Sequence, residues 1–407
     1  MANKERTIYF ILITAIFNAV FRLSSDSIIT LFRLLLPYSV VLIYRIDKRF
    51  CKSLIKMLIW LFIITSIQTI ITIRCFYPSI HTMTLKHLFS FYMHYVSMSV
   101  VYGLVYSLMI IQKNKFFIKS IHYISRLVKF ILCIYVIYTL FHFEPLSFKL
   151  FGNINDFGCV LAGGIIAILF DTVTKKCLKY LYVLMIIIIL LHNDSKLALF
   201  GGIFELMLFG IYNISQRFPY LKKVVFLTLI FICIFCVYAF FMSEIIINGY
   251  SVKELVQVPL NQIYSGVYFP RSNESFTYRS NSIIGITEII KTSFGIGVGV
   301  GNTSLILKTL MPDPDGYLDP YSVSSHIWWY EIMADIGWLV IIPMIGFYIR
   351  SVNEYRILKT TYPRLFAQIF IISFPLWCMS SSGLYAEFFS VIMISLSVLL
   401  TRYKRTE

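Results

Sequence analysis

The sequence predicts an all-α fold: a polytopic bundle of about twelve transmembrane helices, with one large extracytoplasmic loop that contains amphipathic helices. Three observations predict it. Apolar runs of about 20 residues recur along the 407 positions, the length that crosses a hydrocarbon core, and the seventh is short for a span. Only 14% of the residues are charged, against roughly 25% in a soluble domain. The basic residues gather in short segments between the runs instead of forming one surface patch.

The runs fall at roughly 7–22, 27–44, 55–73, 87–111, 121–141, 154–171, 179–191, 196–213, 223–247, 326–349, 364–380 and 384–401. The first follows Lys4 and Arg6 with no small-x-small cleavage pattern behind it, so it reads as a membrane helix and not as a signal peptide. With the N-terminus in the cytoplasm, 25 of the 36 basic residues fall on the inner side, and the alternation holds at every turn. Both termini are then cytoplasmic and the long loop is outside. Three regions result: transmembrane helices over 1–248, the loop over 249–325, and further transmembrane helices over 326–407, together one membrane domain.

The net charge of +16 does not point to nucleic acid, because it is spread through these inner segments. The eight cysteines form no disulfide framework, and Cys233 and Cys236, although spaced CxxC, sit in an apolar run without a second pair. No internal repeat is visible, and the halves do not read as inverted copies, which weighs against a secondary transporter.

The long loop carries the polar chemistry. Tyr250 to Leu260 is expected to form a short helix. Asn281 to Thr292 spaces Ile283, Ile284, Ile286, Ile289 and Ile290 as an amphipathic helix at the membrane surface. Glycines alternate at 295, 297, 299 and 301, and Pro312 to Gly316 is a turn cluster.

Within this frame a few side chains can do chemistry, and each has a structural alternative. Arg279, ahead of the amphipathic stretch, matches a diphosphate with its planar fork or faces lipid headgroups. His326, where the loop re-enters the membrane, takes a proton from a sugar hydroxyl or caps the helix. Lys196 opens a helix at its outer N-terminus, where a cation is unfavourable; it calls for an anion, either Asp194 or a ligand phosphate. Arg33 lies inside an apolar run and faces a partner or wet cavity, or snorkels to the headgroups. Glu205, Glu331, Asp335 and Glu387 are acids in or near spans, expected to pair with basic side chains. The glycine run forms a nest of N–H groups for phosphate, or it lets two backbones pack closely. No acidic pair has metal-binding spacing in an outer loop, so no metal is expected.

Five segments resemble the O-antigen polymerase and O-antigen ligase superfamily of bacterial envelope proteins. Gly152 to Phe157, with Asn155, is similar to an asparagine-containing entry to a middle helix. Asp194–Ser195–Lys196 resembles a Ser-Arg step, although Lys196 stands where the family usually has Arg and loses the two-pronged geometry. Tyr278–Arg279–Ser280 and the Gly-x-Gly-x-Gly run add two more. His326, Glu331 and Gly337 match a His-x4-Glu-x5-Gly helix start. The resemblance implies a membrane glycosyltransferase at the outer face of the bacterial inner membrane. It would polymerise oligosaccharide repeat units of O-antigen or capsule carried on undecaprenyl diphosphate, with no metal and no cofactor. Donor and acceptor are both lipid-linked, membrane lipid surrounds them, and a chain-length regulator protein is an expected partner. Arg279, Lys196 and Arg33 are implied to hold the diphosphate, His326 to act on the acceptor hydroxyl, and Asn155, Glu331 and Asp194 to support them; Arg279 and His326 are the implied catalytic pair. Trp328, Trp329, Tyr268 and Tyr321 stack on sugars or anchor the interface. The alternatives are a ligase with a lipid A-core or protein acceptor, and a flippase or transporter of the lipid-linked sugar.

Overall fold

A computed structural model of the chain describes residues 2–17, 30–77, 85–141, 154–192, 196–217, 263–268, 275–311, 328–338, 361–377 and 388–403, with a few single or paired residues between them. The elements run in order as α1 (Ala2–Ile16), α2 (Leu31–Leu34), α3 (Leu36–Ile46), α4 (Lys48–Ile71), α5 (Leu85–Gln112), α6 (Phe116–Phe141), α7 (Ile154–Phe170), α8 (Lys176–His192) and α9 (Lys196–Arg217). A two-residue hairpin, β1 (Ile246–Ile247) with β2 (Tyr250–Ser251), follows. Then come α10 (Ser275–Thr292), α11 (Asn302–Leu310), α12 (Trp328–Ile336), α13 (Thr361–Trp377) and α14 (Phe388–Tyr403). The protein is helical throughout apart from that hairpin, among the described residues.

Helix α7 is the centre of the bundle. Its sequence is apolar on every side and rich in alanine and glycine, so neighbouring backbones can approach it from all directions. Every residue from Phe157 to Phe170 is buried. Helices α6, α8, α9, α13 and α14 pack around it, while α1, α3 and α4 gather around α5, which α14 joins to the rest. One continuous core runs through both groups, from Ile8 to Leu400.

The outside of this bundle suits lipid. On α4 large apolar side chains point away from the protein over the whole length, with Trp60 64%, Ile67 52% and Ile70 62% exposed. An apolar surface of that extent is a membrane-facing surface. Two stretches are long and apolar enough to cross a membrane as read by length and composition, 48–76 and 92–140, and shorter apolar helices accompany them. The second is folded back on itself. A 3₁₀ turn at Lys113–Lys115, with Lys113 at φ 47°, reverses the chain, and the Ser120 hydroxyl lies 3.5 Å from the Gln112 amide oxygen.

Hydrogen bonds lace one end of the bundle together. The Glu5 carboxylate accepts from Gln112 and from Lys119 at 3.0 Å each. The Asp47 side chain caps α4 through the Phe50 amide and accepts from the Tyr106 hydroxyl at 2.9 Å. Asp171, fully buried, accepts from Ser125 and Lys129 at 2.9 Å, pairs with His122 at 3.1 Å, and also receives Thr174. The N-terminal segment, the segment over 112–129 and the turn at Asp171–Thr174 are therefore linked at this end.

The structure revises several expectations. The amphipathic helix begins at Ser275, not Asn281, so Arg279 lies within its second turn instead of ahead of it. Its apolar face is covered by α11 and α12, not by the membrane: Ile286 and Ile289 are fully buried with Val298, Ile306, Leu307 and Ala334 in a second, smaller core. Tyr250 and Ser251 pair as strand and do not open a helix. The run expected at 326–349 is interrupted at Gly337, whose φ of 74° ends α12. The expected span at 223–247 lies almost wholly outside the described residues.

Candidate functional site

Helices α10 and α11 of the loop pack with α12, which follows it, as one unit, and the glycine run joins α10 to α11. The run is a backbone clasp on the end of α12. The last carbonyls of a helix have no partner within it. Here the Val298 and Gly299 amides donate to the Ala334 and Asp335 carbonyls at 2.9 and 2.8 Å, and the Trp338 amide donates to Gly295 O at 2.9 Å. Gln68, near the end of α4, completes the arrangement: its Nε2 donates to Ile296 O at 2.9 Å and Ile336 O at 3.0 Å. Glycine is needed because the backbones nearly touch. Gly297 has φ 94°, and a Cβ there would stand 2.6 Å from the Ile336 carbonyl carbon; a Cβ on Gly337 would stand 2.2 Å from Ile296 O. The glycine of the His-x4-Glu-x5-Gly pattern therefore has a physical reason.

Asp335 settles the alternative left open for the glycine run. Its buried carboxylate accepts from the Gly301 amide at 3.1 Å and the Thr303 amide at 3.3 Å, and so caps α11 from another helix. The amides of Val298, Gly299 and Gly301 are thus committed to α12, which is the close-packing reading and not the phosphate nest. Asp335 accepts from backbone amides, and Glu205 accepts from the Ser373 hydroxyl at 2.9 Å.

A second contact holds α10 to α12, where the Thr287 and Tyr330 hydroxyls are 2.6 Å apart. Tyr268 donates to the Glu288 carboxylate at 2.9 Å, and burial together with that bond pushes its phenol above the usual range. Helix α12 is shared by both cores, since Ile332 packs in the large one and Ala334 in the small one. The unit is in this way seated on the bundle.

Away from the laced end, two further polar contacts occur. Arg33 Nη2 lies 3.3 Å from His94 Nε2. The Tyr135 hydroxyl is 3.3 Å from His192 Nδ1, and its ring stacks on Phe157 at 5.4 Å. Tyr135 thereby gathers the end of α8 and the start of α7.

The expected site residues are distributed as follows. Arg33 is on α2 with its side chain on His94. Asn155 is the second residue of α7, two positions from Phe157, and Lys196 is the first of α9, four positions after His192. Arg279 is on α10, and Glu331 is buried in the first turn of α12. The side chains of Asn155, Lys196 and Arg279, and all of Asp194 and His326, lie outside the described residues. His326 is two positions ahead of α12, the helix that Gln68, Asp335 and Tyr330 hold in place. Sequence reasoning missed Gln68, His94 and Tyr135. The signal was available for the first two, since each is a polar side chain inside an apolar run. Among the described residues no group of three or more His, Cys, Asp or Glu is arranged to hold a metal.

The fold and its lipid-facing surface define an integral membrane protein built of helices, with a polar helical unit seated on it. Residues 181–345, from α8 through α12, match the family model described as O-antigen ligase, in line with the resemblance to the O-antigen polymerase and ligase superfamily. A comparison with curated proteins finds no match.

Proposed function

We propose that the protein is a polymerase that joins oligosaccharide repeat units carried on undecaprenyl diphosphate at the outer face of the bacterial inner membrane. The observation that carries this reading is the family match over 181–345, the same residues that build the clasped unit and the Lys196 helix start. In the reaction the bond from the glycan's anomeric carbon to the diphosphate oxygen breaks, and a bond to the acceptor hydroxyl forms. The hydroxyl's proton goes to His326, and undecaprenyl diphosphate leaves. Arg279, Lys196 and Arg33 hold the diphosphate and stabilise its leaving charge. Asn155, Asp194 and Glu331 support these groups. Both termini lie in the cytoplasm and the 249–325 loop lies outside, on the strength of the charge alternation.

The family description favours one second reading, a ligase that passes the finished glycan to another acceptor by the same chemistry. Purified protein in nanodiscs with lipid-linked repeat units separates them. Longer glycans on undecaprenyl diphosphate support the polymerase. Transfer only after lipid A-core is added supports the ligase. Movement of the lipid across the bilayer with no new glycosidic bond would overturn both.

A further inference from the structure

Arg33 and His94 present a hydrogen-bonding problem with one chemical solution. A guanidinium only donates, so the His94 Nε2 that faces Arg33 Nη2 at 3.3 Å must accept. The imidazole then carries its proton on Nδ1. That nitrogen is buried and meets no hydrogen-bond partner. Ser97, one turn further along the same face of α5, is completely buried, and its hydroxyl is also unmatched. A buried donor without a partner is costly, and two of them one turn apart on the helix that carries Arg33's partner call for an acceptor of negative charge. The position is the right one for a lipid head. His94 is roughly 18 Å along α5 from Tyr106, at 1.5 Å per residue, and Tyr106 belongs to the laced end. The pair therefore lies in the opposite half of the bundle.

We propose that Arg33, His94 and Ser97 form a subsite for a phosphate oxygen of a membrane lipid head group, with the His94 Nδ1–H and the Ser97 hydroxyl as donors and Arg33 as the charge. Two lipids share that chemistry, an ordinary anionic phospholipid and the lipid diphosphate of the preceding section, and the assignment to the second rests on that reading. His94 and Ser97 are new to the site; neither was expected from the sequence.

The test uses the full chain in phosphatidylcholine nanodiscs. Binding of undecaprenyl diphosphate, phosphatidylglycerol and uncharged undecaprenol is measured for wild type, His94→Phe, His94→Asn, His94→Gln and Ser97→Ala. The charged lipid that occupies the subsite should bind roughly 5- to 100-fold more weakly to His94→Phe and several-fold more weakly to Ser97→Ala, with undecaprenol unchanged. His94→Asn places an amide where Nδ1 stands and should restore affinity; His94→Gln keeps the contact to Arg33 and should not. The reverse order, with Gln restoring and Asn failing, would mean that His94 merely holds Arg33 and would overturn the subsite. So would equal affinities for both charged lipids in all five proteins. Loss with phosphatidylglycerol alone keeps the subsite and removes the donor lipid from it. A wild type that prefers undecaprenyl diphosphate while no variant changes that preference leaves the polymerase reading standing and removes this inference.

Discussion

The side-chain nitrogen of Gln68 lies 2.9 Å from the carbonyl oxygen of Ile296, a residue 228 positions further along the chain. The same nitrogen reaches Ile336 O at 3.0 Å, so one amide ties a membrane helix to both strands of the clasp. Gln68→Leu keeps the volume and removes the donor, which leaves two carbonyls short of a partner at about 1–3 kcal/mol each. We expect the thermal midpoint of the detergent-solubilised protein to fall and glycan transfer to fall with it, because the helix behind His326 is no longer held. An unchanged midpoint would show that the clasp stands without Gln68.

Asp171 sets an acid limit on the opposite end. Burial alone would raise its carboxyl, but the hydrogen bonds from Thr174, Lys129 and His122 outweigh burial and hold it well below the usual carboxylate range. A carboxyl depressed in the folded state contributes stability above the unfolded value of about 4 and loses it as pH falls further. Asp171→Asn should therefore be less stable near neutrality, by about 3 kcal/mol because Lys129 keeps an uncompensated charge. The gap from wild type should narrow as pH drops from 5 towards 3. A gap that stays constant over that range would remove Asp171 from the account.

The catalytic assignments are open to direct replacement. Arg279→Ala and His326→Ala should each abolish chain growth, with normal amounts of protein in the membrane. Lys196→Arg should keep activity if the position binds phosphate, because a planar fork serves that contact at least as well as a point charge. Wild-type chain length in the two alanine variants would reject their roles, and complete loss in Lys196→Arg would reject the phosphate at that helix start.

Orientation is readable from two native thiols. Cys75 and Cys177 are both exposed, the first past the end of α4 near the clasp and the second at the start of α8 near Asp171. In a chain whose other cysteines are replaced, a membrane-impermeant maleimide should label Cys75 in intact spheroplasts and Cys177 only after lysis. The opposite pattern would invert the topology.

The bundle was legible because lipid imposes a strong and simple pattern on sequence. Apolar runs marked the helices to within a few residues at α5, α7, α8 and α9, and basic residues marked the end at which Glu5, Asp47 and Asp171 bind their partners. What escaped was polar detail that depends on partners distant in sequence. Nothing local distinguishes an Asp335 that caps α11 from one that pairs with lysine. The early start of α10 was hidden because Ser280, Asn281 and Ser282 look like loop residues, yet all three are buried. Their polarity is met by the fold around them, which no periodicity records. Gly337 was noticed as part of a pattern, but its purpose depends on Ile296, 41 positions earlier.

The three acid-centred knots at the laced end, around Glu5, Asp47 and Asp171, have a mechanical corollary. Spreading the helices there would break several bonds to carboxylates at once, whereas the Arg33–His94 and Tyr135–His192 contacts at the other end are each a single hydrogen bond. Helices at the end away from those knots would therefore part with fewer bonds broken than helices at the knotted end.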